Sequence, residues 1–126
     1  MAVDARFTKG LELFNKKEYF ECHEVIEALW LETPESDPYR DLYKGVIQAA
    51  AAIYQFDRGI LSGARGLYCA AIGHLSSYAP VALGLNVAKL IHEMEICFRH
   101  LTQSDGKTKL ILEEKLIPKL EFEQLA

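Results

Sequence analysis

His23, Glu24 and Glu27 fall in the string YFECHEVIEALW, Tyr19 to Trp30, at a spacing that suits chemistry. Residues four apart on a helix lie one turn apart on the same side, so His23 and Glu27 can meet directly. An imidazole and a carboxylate so placed can do general acid–base work near neutral pH, the carboxylate orienting the ring. The same pair can give one nitrogen and one oxygen to a divalent ion.

His23-Glu24-x-x-Glu27 is similar to the zinc-peptidase HExxH pattern with its second histidine replaced by glutamate. A metal would need a third ligand. His74, at the edge of an apolar arc on the fourth helix, is the recruit, ahead of Gln48 or a cysteine; His92 and His100 project off the inner face of the fifth helix. A His23, Glu27 and His74 triad is therefore the metal expectation, a divalent ion being allowed rather than favoured. Without metal, Tyr54, Tyr68 and Arg65 are the donors expected around His23. No nucleophile elbow and no phosphate-binding glycine loop is present.

The helical wheel raises the problem these residues pose. With His23 at zero, Glu27 lies about 40° round and Trp30 about 20° the other way, with Tyr19, Phe20 and Ile26 within about 60°. His23 and Glu27 are thus expected at the middle of the apolar arc, and Cys22 about 100° away from His23. Burying an ionised group costs several kcal/mol unless it is paired, against a total stability of roughly 5–15 kcal/mol. A structural reading answers this: a hydrogen-bonded cluster fixing helix register, with Glu27 accepting from the Trp30 indole.

The elements that must position these residues are helical. The 126 residues suit one hydrophobic core, and half of them are apolar. Helices are expected at about 4–15, from 19 to the Thr33-Pro34 stop, from Pro38 to about Asp57, from Ser62 to before Pro80, and from about Val87 to Leu101. Asp37, Ser62 and Asn86 are the expected caps. The third helix is apolar or small on both sides, which makes it central. On the fourth, Gly66, Ala70 and Gly73 form a smooth ridge that would let another backbone approach. No strand alternation precedes residue 107. Gly10, Tyr19, Cys22 and Pro34, partly repeated by Ala64 and Ala71, have tetratricopeptide-like spacing, but two units are too few for a free-standing solenoid. The expected fold is all-α: a compact bundle of about five helices built from such hairpins over residues 1–104. A tail over 105–126, a short helix or an extended strap, would dock on the bundle or a partner.

Composition excludes several classes. A net charge of −4 and a pI near 5.6 leave no basic footprint for nucleic acid. The apolar run from Gly45 to Phe56 falls short of the roughly 20 residues that span a bilayer. Charges at Asp4, Arg6 and Lys9 argue against an export leader. Three cysteines without a CxxC pair are expected to be reduced thiols of a cytoplasmic protein.

The string from Gly10 through Glu18-Tyr19-Phe20-Glu21-Cys22-His23-Glu24-Val25-Ile26-Glu27-Ala28-Leu29-Trp30, then Gly45-Val46-Ile47-Gln48-Ala49-Ala50-Ala51-Ala52, then Gly63-Ala64, resembles the domain of unknown function 309 family. The resemblance spans about residues 5 to 100 and leaves the tail outside. It implies a small all-helical bundle, no established activity, and a site at His23, Glu24, Glu27, Trp30 and Gln48. Cys22 stands where the family more usually has alanine. Two functions of different class follow: a small-molecule or metal site around HExxE, or a protein-interaction scaffold in which the His-Glu cluster is structural. A homodimer through the tail or the glycine ridge is compatible with either.

Overall fold

Apolar spacing of three and four residues recurs along the chain, and helices form wherever it does. The computed structural model describes residues 3–103 and 110–123. Five α-helices are present among them: α1 (Ala5–Asn15), α2 (Tyr19–Glu32), α3 (Arg40–Asp57), α4 (Leu61–Leu75) and α5 (Val87–Thr102). The fold is all-α, with one small hairpin of β1 (Val81–Ala82) and β2 (Leu85–Asn86). Single turns of 3-10 helix follow at Ser76–Tyr78 and Glu114–Leu116.

Each helix from α1 to α4 packs on the next in sequence, with α3 at the centre. α3 buries residues on both sides, from Leu42 and Val46 to Ile47, Ala52 and Phe56, as its small and apolar periphery requires. Close approach is built in at two glycines. A Cβ on Gly10 of α1 would overlap the Ile26 side chain of α2, and one on Gly45 of α3 would sit 2.8 Å from Leu75 of α4. α5 closes the core with Leu90, Met94, Phe98 and Leu101, and Phe98 meets Phe56 at a centroid distance of 5.2 Å.

The ends of the helices follow local chemistry, with corrections to the expected caps. Asp4 accepts from Arg6 N at 2.9 Å and Asn86 Oδ1 from Lys89 N at 2.9 Å, each satisfying a donor the helix leaves free. Asp37 instead accepts from Tyr39 N at 2.8 Å, tying the turn before a helix that starts only at Arg40. Ser62 lies inside α4, whose first turn has no side-chain cap. Strands of two residues are too short to show alternation, so the hairpin left no trace in the sequence pattern. Its register, Val81 with Asn86 and Ala82 with Leu85, is turned by Leu83 and Gly84, both at positive φ.

Residues 110–123 run as an extended strap broken by one 3-10 turn, not as a helix ended by Pro118. Asn15 at the end of α1 grips it from both sides, donating Nδ2 to Leu120 O at 2.9 Å and accepting from Leu120 N at 2.7 Å. Further on, Asn86 N donates to Glu121 O at 2.8 Å and Glu123 N to Gly84 O at 3.0 Å, so the strap extends the hairpin. Leu120 is buried on the same chain, while Ile111 stays exposed. The expected boundary at residues 104 and 105 falls outside the described residues. Among the described residues no helix is long and apolar enough to cross a membrane.

Candidate functional site

α2 presents Tyr19, Cys22, Ile26 and Leu29 to the core. The centre of its buried arc therefore lies near Cys22 and Ile26, and the expectation that His23 and Glu27 occupy the middle is corrected. Both sit on the flank, half-exposed, with His23 Nε2 3.1 Å from Glu27 Oε2. The aromatic residues misplace the wheel: Phe20 is 53% exposed at the start of the helix. Trp30 lies on the same flank, its ring covered by the Arg40 guanidinium and the Lys44 ammonium, each 4.3 Å from the centroid. Trp30 Nε1 is buried and has no partner among the described residues, so Glu27 does not serve as its acceptor.

α2 and α3 run alongside one another in a register that is easy to follow. Phe20 meets Tyr54 with ring centroids 6.3 Å apart, His23 and Ala51 line one pocket, and Trp30 lies under Lys44. This order brings the suggested residues of α2 along the seam towards Gln48. Gln48 itself is engaged from the other side, its Oε1 2.7 Å from His74 Nδ1 on α4. His74 therefore pairs with Gln48 rather than completing a triad with His23 and Glu27. Among the described residues no group of three His, Cys, Asp or Glu side chains is gathered that could hold a metal ion. Glu24 is exposed.

The pocket at His23 has a volume of about 210 Å³ and is walled by Tyr19, Phe20, His23, Ala51, Tyr54 and Gln55. Of the donors expected around His23, only Tyr54 is there. Arg65 donates Nε and Nη2 to Leu101 O at 3.1 Å, closing the end of α5, and Tyr68 stacks on Phe98 at 4.8 Å. Sequence reasoning missed Gln55 and the part played by Tyr19. Gln55 Oε1 and Tyr19 Oη are both buried without a hydrogen-bond partner among the described residues. Burial, with Cys97, Asp57 and Cys22 nearby, pushes the Tyr19 hydroxyl well above its ordinary pKa and keeps it protonated. Gly63 leaves the space that the Gln55 amide occupies, since a Cβ there would overlap Oε1. The signal for Gln55 was weak, since a glutamine in the last turn of a helix reads as solvent-facing, and Tyr19 read only as part of the apolar arc.

Cys22 is fully buried, and its thiol is pushed up to about 12 by burial, so it is no nucleophile for His23. With Glu27 accepting from Nε2–H, Nδ1 is the ring nitrogen of His23 left for another hydrogen bond, accepting in the neutral ring and donating in the charged one. The pocket thus combines the aromatic walls of Phe20 and Tyr54 with the polar His23 ring. That set can bind and orient a polar group on an otherwise apolar body.

Residues 7–67 match the model of the family described as Domain of unknown function (DUF309). The resemblance carried by Gly10, the HExxExxW string, the Gln48 segment and Gly63-Ala64 is shown over that stretch, shorter than the 5 to 100 expected. The chain is also 32% identical, over 111 residues, to the uncharacterized protein YpuF of Bacillus subtilis (strain 168). The match takes in 84% of this chain and 63% of YpuF, so the chain spans less than two thirds of that relative's length. No solved structure matches.

Proposed function

We propose that this protein binds a small organic molecule in the seam between α2 and α3, with His23 as its polar anchor and Glu27 holding the ring. The observation that carries this reading is the pocket of about 210 Å³ in which His23 meets Phe20, Tyr54 and Gln55. Glu24, Trp30 and Gln48 belong to the surroundings rather than to the pocket wall. Trp30 fixes α2 against the cations of α3, and Gln48 ties α3 to α4 through His74.

A scaffold role has less support, because Leu31 on α2, Val81 in β1 and Ile111 on the strap are exposed on separate elements, and the two exposed aromatics that meet, Phe20 and Tyr54, wall the pocket itself. The net charge of −4 speaks against nucleic acid as partner. A cytoplasmic setting agrees with three free cysteines. The test is a fragment screen by NMR on the full chain, following the His23 ring and the Gln55 side-chain amide. Compounds that shift both and lose binding in His23→Ala, at unchanged melting temperature, support the reading. A library that moves neither signal overturns it.

A further inference from the structure

A second cavity lies at the other end of α2 from His23. Its volume is about 370 Å³, within the roughly 300–1,000 Å³ of ordinary ligand sites, and it shares no wall residue with the His23 pocket. The start of α1 gives it Arg6, the end of α2 Leu29, and the loop before α3 Asp37. Tyr43 of α3 and Leu83 of the hairpin turn complete the wall.

Tyr43 is what sets this cavity apart. The residue is only 7% exposed and its ring packs on Phe7 at 5.4 Å, yet its hydroxyl makes no hydrogen bond among the described residues. A polar group on so deeply placed a side chain ordinarily has a protein partner. Unlike the Tyr19 hydroxyl, this one is not cut off from solvent, and the charged groups near it, Asp37, Asp4 and Arg6, all line the cavity, so it opens into that space. Burial and the two carboxylates raise its pKa and keep its proton, so it can both donate and accept.

The other polar groups narrow the occupant. Arg6 donates Nε and Nη2 to Asp4, each at 3.1 Å, and Nη1 to Glu32, which balances its charge and leaves an N–H unspent on each Nη. Asp37 Oδ1 accepts from Tyr39 N at 2.8 Å, and Oδ2 has no partner among the described residues. A carboxylate ligand would meet Asp4, Glu32 and Asp37 around a guanidinium already neutralised, and be repelled. An ammonium would find no use for the Tyr43 O–H or the Arg6 N–H groups. A hydroxyl both donates and accepts, so adjacent hydroxyls can serve all three side chains. We propose that this cavity is a second binding site, for a small neutral polyol of sugar type. Its hydroxyls meet Tyr43 Oη, Asp37 Oδ2 and Arg6, and its carbon face lies on Leu29 and Leu83.

The full chain is titrated under NMR detection with a set of neutral pentoses, hexoses and inositols and, separately, with cyclohexylammonium, a charged probe without hydroxyls. Saturable shifts confined to residues 4–6, 29–43 and 83 are expected from at least one polyol, with the His23 ring unmoved. Tyr43→Phe keeps the ring on Phe7 and deletes only the hydroxyl, so the melting temperature should hold while affinity falls about three- to tenfold. Asp37→Asn keeps an oxygen for Tyr39 N but turns the free acceptor into a donor, and should weaken the same polyol by a similar factor. Affinity unchanged in both variants overturns the assignment. So does cyclohexylammonium seated there in place of every polyol, and so does silence from the whole set.

Discussion

His23 Nε2 and Glu27 Oε2 stand 3.1 Å apart at the edge of the α2–α3 seam, with side chains 35% and 42% exposed. An i,i+4 pair this open to water is screened and contributes well under about 1 kcal/mol. His23→Ala and Glu27→Gln are therefore each expected to lower the unfolding free energy, read by urea titration, by less than that. Breaking a buried pair would instead cost about 3–5 kcal/mol. A loss of that size would show that the pair is a structural tie and not a pocket anchor.

The difference between the expected and observed placing of this pair shows what a wheel can read. On α3 and α5 the apolar residues outnumber the alternatives, and Leu42, Val46, Ile53, Leu90, Met94 and Phe98 are buried as their spacing requires. On α2 the weighting fails, because Phe20 and Trp30 count as core by type yet lie on the flank. Phe20 meets Tyr54 at a tilt, and Trp30 packs only on the edge of the core, with two cations over its ring. Cys22, small and easily set aside, marks the true centre, since α1 approaches there through Gly10. The HExxE motif was legible as a local string. Gln55, Tyr19 and the strap were not, because a pocket depends on which elements meet.

The glycines of the bundle divide by what a methyl group would touch. At Gly10 the added Cβ meets Ile26, and at Gly45 it meets Leu75, so alanine at either position overpacks a helix contact and should cost about 1–3 kcal/mol. At Gly66 and Gly73 nothing lies within 4 Å, and the ridge predicted to admit another backbone faces open space. Gly66→Ala and Gly73→Ala should therefore each stabilise the protein, by up to about 1 kcal/mol, through helix propensity. Thermal melts of the four variants read the signs. Destabilisation at Gly66 together with a loss of mass in sedimentation would place a second copy on the ridge.

Asn15 joins the bundle to the strap by two hydrogen bonds to the backbone of Leu120. Replacing its amide removes both partners from half-buried backbone groups, which should cost about 1–3 kcal/mol in Asn15→Ala. Amide exchange across Leu116–Phe122 should accelerate more than exchange across α3. Equal acceleration in both would mean that the strap and the bundle open as one unit.

Thiol reactivity separates the three cysteines. Cys22 and Cys97 are buried with pKa values pushed up to about 12 by burial, whereas Cys69 is exposed. A disulfide reagent at mildly alkaline pH should modify Cys69 alone in the folded protein and all three thiols in denaturant. Rapid modification of Cys22 without denaturant would contradict the placement of α2 argued above.

The same burial sets the response to base. Cys22 and Cys97 rise from 9.0 to about 12, and Tyr19 rises above 10.0, in each case because burial penalises the charged form. At high pH the folded chain thus holds protons that the unfolded chain has released, so stability falls as pH rises. The contribution is complete below pH 9.0 and declines through the window up to about 12, with a limiting slope of about 1.4 kcal/mol per pH unit for each group. Urea midpoints should accordingly be level from neutral pH to 9.0 and then drop. Cys22→Ala removes one titrating group at the centre of the α2 arc, and its midpoint should fall less steeply over that window. An equal slope in the variant would mean that the Cys22 thiol does not stay protonated in the folded chain as its burial requires.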